Sequence, residues 1–220
     1  FSSSATVYGD PKFLPITENH PVNPCNPYGM SKFFVEKILM DLSNANEDWN
    51  IVILRYFNPV GSHRSGMIGD YPNGIPNNLM PFINQVASKT QPFLKIFGDD
   101  YHTPDGTGIR DYIHIEDLSE AHLAALNWLN ASSDESRDNF NTFNIGTGVG
   151  YSVMEIINAY QSANHIEIPY KIVSRRPGDI ASCYSDPSKA KKVLNWHASR
   201  TLEDMCSSAW KFQVQSVNLV

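Results

Sequence analysis

The 220-residue chain lacks several features that define whole classes of protein. It has no run rich in Lys or Arg and carries a formal net charge of −6, which argues against nucleic acid or an anionic membrane as its main partner. No apolar run approaches the length of a membrane span. With 41% hydrophobic and 18% charged residues, the chain has the composition of an ordinary globular protein of one large or two small domains.

Cysteine and histidine are also sparse. Cys25, Cys183 and Cys206 are odd in number and far apart, so we expect free thiols in a reducing, cytoplasmic compartment rather than a disulfide framework. The seven histidines form no cluster with ligand spacing, so no metal is expected.

A glycine-rich dinucleotide fingerprint is missing as well. No Gly-x-x-Gly-x-x-Gly follows a predicted strand, and no acidic residue stands where it would hold an adenosine ribose. The chain begins at Phe1 rather than Met, and residues 1–9 look like a chain entering in mid-strand. We therefore expect a fragment cut inside a sheet.

What remains alternates between strand-like and helix-like segments, which predicts a parallel α/β layout. Strands are expected at 51–57, 94–97 and 140–145, and loops at 62–76 and 98–108. Helices are expected from Pro27, at 79–89 and 113–129, after the capping box that begins at Ser152, and near Pro187 and Thr201.

Tyr28 and Lys32 are the most informative pair of residues. They lie four apart in Tyr-Gly-Met-Ser-Lys, so a helix places both side chains on one face. A lysine ammonium beside a phenol favours the phenolate and makes it a usable base near neutral pH. Without other support, a surface tyrosine packed on a lysine stem is the commoner meaning of this spacing.

Longer motifs supply that support. They are Ser-Ala-Thr-Val-Tyr-Gly at 4–9, Arg-Tyr-Phe-Asn-Pro-Val-Gly at 55–61, Gly-Ile-Arg-Asp-Tyr-Ile-His at 108–114 and Arg-Arg-Pro-Gly-Asp at 175–179. In this order they resemble the extended short-chain dehydrogenase/reductase superfamily, and within it the UDP-glucose 4-epimerase family, from Phe1 to about Lys211.

The resemblance implies the C-terminal part of a doubly wound, Rossmann-like NAD domain plus a smaller mixed α/β substrate domain. Residues 1–58 would be the remnant of the NAD domain that carries the catalytic residues. Residues 59–220 would bind the UDP-sugar, with some segments returning to the first domain. When full length, such a protein would form a homodimer through two long helices, one of them the helix after Pro27.

The implied reaction is the interconversion of UDP-galactose and UDP-glucose in galactose metabolism, by oxidation, rotation of a 4-keto sugar and re-reduction with NAD as a resident cofactor. Tyr28 would be the base, Lys32 would lower its pKa and bind the nicotinamide ribose, and Ser4 would relay the proton. Tyr56 and Phe57 would form the nicotinamide-side wall.

The resemblance also implies a set of UDP-sugar ligands beyond Ser4 and Tyr28. Arg110 and Arg176 would bind the diphosphate and Asp179 a ribose hydroxyl. The further substrate residues are Ala5, Thr6, Asn58, Asn77, Asn78, Leu79, Lys95, Ile96, Phe97 and Cys183. Cys183 stands where the family has either a large tyrosine or a small residue, so it predicts room for UDP-N-acetyl sugars. A buried, inert thiol is the alternative.

Two other functions stay open at this point. The chain could come from another nucleotide-sugar enzyme, a dehydratase or a decarboxylase, although Ala5 and Thr6 cannot supply the acidic pair that a dehydratase needs. It could also be an inactive fragment that only binds a UDP-sugar, because a sheet without its first strands exposes an apolar edge and face.

Overall fold

The computed structural model describes residues 1–72, 74, 76–131 and 138–217, with the side chain of the last residue excepted. The strands are β1 (Ser2–Ser4), β2 (Ile51–Tyr56), β3 (Asn58–Val60), β4 (Leu94–Phe97), β5 (Ile109–His114), β6 (Phe140–Ile145), β7 (Gly150–Ser152), β8 (Tyr170–Val173) and β9 (Ser182–Cys183). The helices are α1 (Pro27–Ala45), α2 (Leu79–Ala87), α3 (Ile115–Ala131), α4 (Val153–Asn164), α5 (Ser188–Leu194) and α6 (Leu202–Val217), with a 3-10 turn at Ala5–Tyr8.

The first sheet is parallel and has the order β1-β2-β6. Strand β2 is the buried central strand, as its unbroken apolar run predicts. Its side chains alternate between two faces, so Arg55 meets α1 while Leu54 packs in the cluster that α3 and α5 cover. This parallel α/β arrangement confirms the fold class expected from the sequence.

Two smaller sheets follow. In one, β5 pairs in parallel with β3 and β9 and antiparallel with β7. In the other, β4 pairs in parallel with β8. Only Phe57 separates β2 from β3, and its amide donates to the Ile145 carbonyl, so the first two sheets meet at this point. The boundary at residue 58 stays a prediction, and β6 joins the first sheet from late in the chain.

The start of α1 follows from its sequence. Asn26 caps the helix by accepting from the Gly29 amide at 2.7 Å, and Pro27 occupies the first turn. Gly29 is needed because a Cβ there would lie 2.6 Å from the Thr6 carbonyl oxygen. The helix therefore approaches the 3-10 turn closely, which fixes where its first turn sits.

Two large apolar side chains of α1 face outward. Phe34 and Ile38 are 59% and 65% exposed, whereas Glu36 faces the sheet and is buried. No helix among the described residues is both long and apolar enough to cross a membrane.

Most predicted elements match the structure, including β4, β6 and the capping box at Ser152. The predicted helix 113–129 is wrong at its start, because Ile113 and His114 belong to β5, where they pair with β3, and α3 begins at Ile115. The predicted helix 79–89 ends at Ala87, since Lys89 adopts a left-handed backbone. The predicted loop 62–76 has no helix or strand in its described part; its residues 73 and 75 lie outside the described residues.

Candidate active site

Tyr28 and Lys32 lie where the sequence predicts, on one face of the first turns of α1. Tyr28 is 56% exposed, and the Lys32 Nζ lies 5.6 Å from the centre of its ring. Lys32 also donates to the Ser2 carbonyl oxygen at 3.0 Å, which ties α1 to β1. An ammonium has three donors, so Lys32 can hold this contact and still bind a ligand.

Ser4 ends β1 and begins the 3-10 turn that packs under α1. Its Oγ accepts from the Thr6 amide at 3.2 Å and from the Thr6 hydroxyl at 2.9 Å. These bonds leave the Ser4 hydroxyl hydrogen available to donate to a ligand oxygen. The carboxyl end of a parallel strand is where open α/β sheets bind ligands.

Tyr56 ends β2 and is held by a histidine that sequence analysis did not place in the site. Its hydroxyl lies 2.6 Å from Nε2 of His122, and Nδ1 of His122 lies 2.8 Å from the Leu118 carbonyl. A carbonyl only accepts, so Nδ1 carries the proton and Tyr56 donates to Nε2. Burial raises the pKa of Tyr56, which keeps this donor protonated.

Phe57 packs on the opposite side from Tyr56. It belongs to a buried cluster that contains Ala5 and Cys183. The structure thus brings together three residues that the sequence predicts for the nicotinamide wall and the sugar site, although they come from distant parts of the chain.

Most of the other predicted substrate residues line one cavity of about 220 Å³ between β3, α2, β4 and β5. They are Asn58, Asn77, Asn78, Leu79, Lys95, Ile96, Phe97, Arg110, Arg176 and Asp179. Sequence analysis missed other residues of this lining, including Phe82, Tyr101, Tyr112 and Val153. Periodicity did not single them out, because Tyr101 lies in a loop and the other three lie in α2, β5 and α4 among further apolar residues.

Two arginines and an aromatic ring give this cavity its character. The guanidinium of Arg176 lies 3.8 Å from the centre of the Phe97 ring, a cation–π distance. Arg110 lines the same cavity and bonds its own neighbour, the Ile109 carbonyl, at 2.8 Å. Two guanidiniums beside a flat ring suit a diphosphate joined to a planar base.

Arg175 has a different place. Its guanidinium lies 4.0 Å from the centre of the Tyr101 ring, and it pairs with Asp100 at 2.6 Å on the surface. The sequence left the role of this arginine open, and in the structure it supports the loop that carries Tyr101.

Cys183 lies on β9, opposite Arg110 in the strand register. Burial raises the pKa of its thiol to about 11, so the thiol is protonated and uncharged at neutral pH. A small neutral side chain here is consistent with both an open sugar pocket and an inert thiol.

A second cavity, of about 570 Å³, lies behind α2 and beside the start of α3. Asn78 lines both cavities. The walls of this second cavity come mainly from the loop after β3 and from Met80, Pro81 and Ile115, and neither Tyr28 nor Lys32 lines it. Within the described residues, no group of three or more His, Cys, Asp and Glu side chains is arranged to hold a metal ion.

A family model described as GDP-mannose 4,6 dehydratase matches residues 1–209. The chain belongs to this family. It is 54% identical over 218 residues to the UDP-glucose 4-epimerase of Dictyostelium discoideum, covering 99% of this chain and 62% of that protein. The resemblance to UDP-glucose 4-epimerases inferred from the motifs is thereby confirmed.

Solved structures of UDP-glucose 4-epimerases are also similar to this chain. The UDP-glucose 4-epimerase of Stenotrophomonas maltophila, with bound NAD and formylated UDP-arabinopyranose, has a TM-score of 0.95 at 45% identity, over 100% of this chain and 64% of that chain. The enzyme of Bifidobacterium longum, in complex with NAD+ and UDP, has a TM-score of 0.92 at 51% identity, over 99% and 64%. The chain therefore spans a little under two thirds of the length of these relatives.

Proposed function

We propose that the whole protein, of which this chain is a part, interconverts UDP-galactose and UDP-glucose in galactose metabolism. The observation that carries the proposal is one arrangement of side chains. Tyr28 stands exposed and Lys32 half-buried beside strand β1 of a parallel sheet, and the next strand, β2, leads through Asn58 into a cavity with two arginines. A base that is followed, one strand further on, by a site for a diphosphate suits a sugar nucleotide.

The groups beside β1, at the edge of the first sheet, suit the nicotinamide end of an NAD molecule. Tyr28 and Lys32 present a phenol and an ammonium there, and the aromatic ring of Phe1 is 39% exposed beside them, with its centre 5.3 Å from Nζ of Lys32. Hydroxyl groups of a ribose are suitable acceptors for such donors. When bound there, NAD would supply reversible hydride transfer at C4, which is redox chemistry that no side chain supplies.

The chain's own residues would manage the proton and hold the sugar. Tyr28 would accept the proton of the 4-hydroxyl and later give it back, with the ammonium of Lys32 stabilising the phenolate in between. Ser4 would donate its hydroxyl hydrogen to the 4-oxygen. Tyr56 and Phe57 would exclude water from the reacting edge.

The cavity would hold the UDP part of the substrate. Arg110 and Arg176 would bind the two phosphates, and Phe97 would lie against the uracil. Because the diphosphate would be bound far from C4, the sugar ring could turn over while the nucleotide stays in place.

Substrate breadth would depend on Cys183. A cysteine is much smaller than a tyrosine, and here it packs with Ala5 and Phe57 at the sugar end. We therefore propose that the whole protein also accepts UDP-N-acetylglucosamine and UDP-N-acetylgalactosamine, since the acetamido group would have room.

We further propose that the whole protein is a homodimer in the cytoplasm. The exposed apolar residues of α1, Phe34, Val35 and Ile38, offer a surface that a second copy could cover. The three cysteines are free, which favours a reducing compartment. Light scattering of the wild type and of Ile38→Glu tests the dimer, because a charge within this apolar surface should prevent association and give monomers.

One observation favours a second candidate, since the matching family model is named for a dehydratase. A dehydratase must remove water across C5 and C6, which takes acidic side chains near the sugar. Ala5 and Thr6 stand in that segment and carry no carboxyl group. The epimerase is therefore the better supported proposal.

The test uses the complete gene product. Incubated with UDP-galactose, it should form UDP-glucose, and on denaturation it should release NAD+ or NADH. Tyr28→Phe should keep the dinucleotide and lose the activity. Conversion of UDP-glucose to a 4-keto-6-deoxy sugar would instead identify a dehydratase, and absence of both activities and of dinucleotide would reduce the protein to a UDP-sugar binder.

A further inference from the structure

A buried carboxylate lies where the two main sheets meet. Asp111, on β5, is fully buried and next to Arg110 in sequence. Because side chains alternate along a strand, Arg110 faces the cavity while Asp111 points away from it. Neither the motifs nor the proposed mechanism gives Asp111 a task.

Five donors converge on this carboxylate, all from two segments. Thr147 donates from its amide at 2.8 Å and from its hydroxyl at 2.6 Å, and the Gly148 amide donates at 3.1 Å. Ser185 donates from its amide at 3.1 Å and from its hydroxyl at 2.5 Å. A buried carboxylate that accepts this many hydrogen bonds holds its partners rigidly.

The two segments belong to different parts of the molecule. Thr147 and Gly148 follow β6, which pairs with β2 in the sheet that carries the catalytic residues. Ser185 follows β9, whose Cys183 lies at the sugar end. Gly146 shows how close the contact is, because a Cβ there would lie 2.4 Å from Oδ2 of Asp111.

The segment after β9 is also bonded to the stretch of chain between Ser4 and Tyr28. Ile16 donates to the Tyr184 carbonyl at 2.9 Å and accepts from the Asp186 amide at 2.8 Å. Ile16 lies in the stretch between Ser4 and Tyr28, so this contact and Asp111 hold the same segment from two sides.

We propose that Asp111 is a positioning residue for the reaction, a latch that holds the sugar-recognising strand β9 and the cavity strand β5 to the sheet that contains Ser4 and on which α1, with Tyr28, packs. The inference rests on the proposed function. Its consequence is that loss of the latch displaces the hexose relative to the base without changing the residues that bind UDP. Displacement of about 1 Å in an active site costs on the order of 100-fold in rate.

The experiment compares Asp111→Asn with a matched control in the complete gene product. An asparagine keeps the size of the side chain but turns one acceptor into a donor that faces other donors. The control is Asp117→Asn, since Asp117 is also fully buried and accepts from Ser199 and Arg200, away from the catalytic strands. Turnover of UDP-galactose, UDP affinity by calorimetry and amide hydrogen exchange are measured for both.

Asp111→Asn should lower kcat about 100-fold while the Kd for UDP changes less than threefold. The amides of Thr147, Gly148 and Ser185 should exchange faster than in the wild type. Asp117→Asn should lose stability yet keep kcat within threefold. A parallel loss of kcat in both variants, or a loss of UDP affinity that matches the loss of kcat in Asp111→Asn, would mean that the role is only structural and would overturn the inference.

Milder variants keep the inference testable if Asp111→Asn does not fold. Thr147→Val and Ser185→Ala each remove one hydroxyl donor and leave the backbone donors, so each should lower kcat severalfold with UDP affinity kept. An unchanged kcat in both would contradict the latch. A wild type without epimerase activity would instead contradict the proposed function, since hydrogen exchange would still report the latch.

Discussion

Removal of one partner from the buried ion pair of Glu36 and Arg55 should be strongly destabilising. Two bonds join the pair, from Nε of Arg55 to Oε1 of Glu36 at 3.0 Å and from Arg55 to Oε2 at 2.6 Å. Their side chains are 6% and 8% exposed, for Glu36 and Arg55 respectively. The pair joins α1 to β2, and Ser3 of β1 also donates to Glu36.

A third nitrogen of Arg55, Nη1, also has a partner. It donates to the Tyr8 hydroxyl at 3.0 Å, and Tyr8 in turn donates to Asn144 at 2.6 Å. Burial raises the pKa of Tyr8 to about 12, so the phenol stays protonated in this chain. Glu36→Leu would leave a guanidinium buried without its counter-charge, which costs about 3–5 kcal/mol. Arg55→Met would leave the carboxylate in the same condition, at a similar cost.

The double variant should recover much of the loss. Without either charge, Tyr8 can still donate to Asn144, and only Ser3 loses its acceptor, at about 1 kcal/mol. The assay is urea unfolding of the complete gene product, followed by tryptophan fluorescence, for the wild type, both single variants and the double variant. Additive single effects, or single effects below about 1 kcal/mol, would refute the reasoning.

The surface pair of Arg175 and Asp100 is the matched control. Its two atoms lie at 2.6 Å, as in the buried pair, but the side chains are 44% and 70% exposed. Asp100→Asn should therefore leave the urea midpoint close to that of the wild type in the same assay, because solvent screens an exposed pair.

Three further predictions concern catalysis, specificity and pH. Tyr28→Phe should lower kcat by about 10²–10⁴-fold with UDP affinity unchanged, measured by coupled assay and calorimetry, because it removes the proposed base and none of the proposed diphosphate ligands. Cys183→Tyr should abolish turnover of UDP-N-acetyl sugars and spare UDP-galactose, since only the acetamido group needs the space; equal loss on both would contradict this. Burial lowers the pKa of His114 from its ordinary 6.5, so stability present above that value should fall as pH drops through 6.5. Urea unfolding between pH 7.5 and 5.5 should show a shallower loss for His114→Gln than for the wild type.

The parts of the fold that local patterns determine were predictable. Strand β6 and the helix after Ser152 follow from alternation and from the capping box, and both stand where they were expected. The start of α3 was not predictable, because Ile113 and His114 are apolar and aromatic residues that suit a helix and a strand equally. Their pairing with β3 decides the outcome, and a pairing between distant residues leaves no local pattern.

In the candidate site, too, some contacts follow from local sequence and others depend on the packing of distant segments. Tyr28 and Lys32 are four apart on a helix, so their proximity follows from helix geometry alone. The meeting of Ala5, Phe57 and Cys183 depends on how three distant segments pack, and only the motifs indicated it. Asp111 was missed because its five donors come from residues 36 to 74 positions further along the chain.

The fate of the hydrogen on C4 tests the central claim most directly. UDP-galactose carrying deuterium at C4 is converted by the complete gene product in ordinary water, and the UDP-glucose formed is examined by mass spectrometry and NMR. Oxidation and re-reduction at one site, with Tyr28 moving only the hydroxyl proton, predicts that the deuterium is kept at C4. Loss of the deuterium to solvent would mean that a base removes the carbon-bound hydrogen as a proton, and would contradict the account.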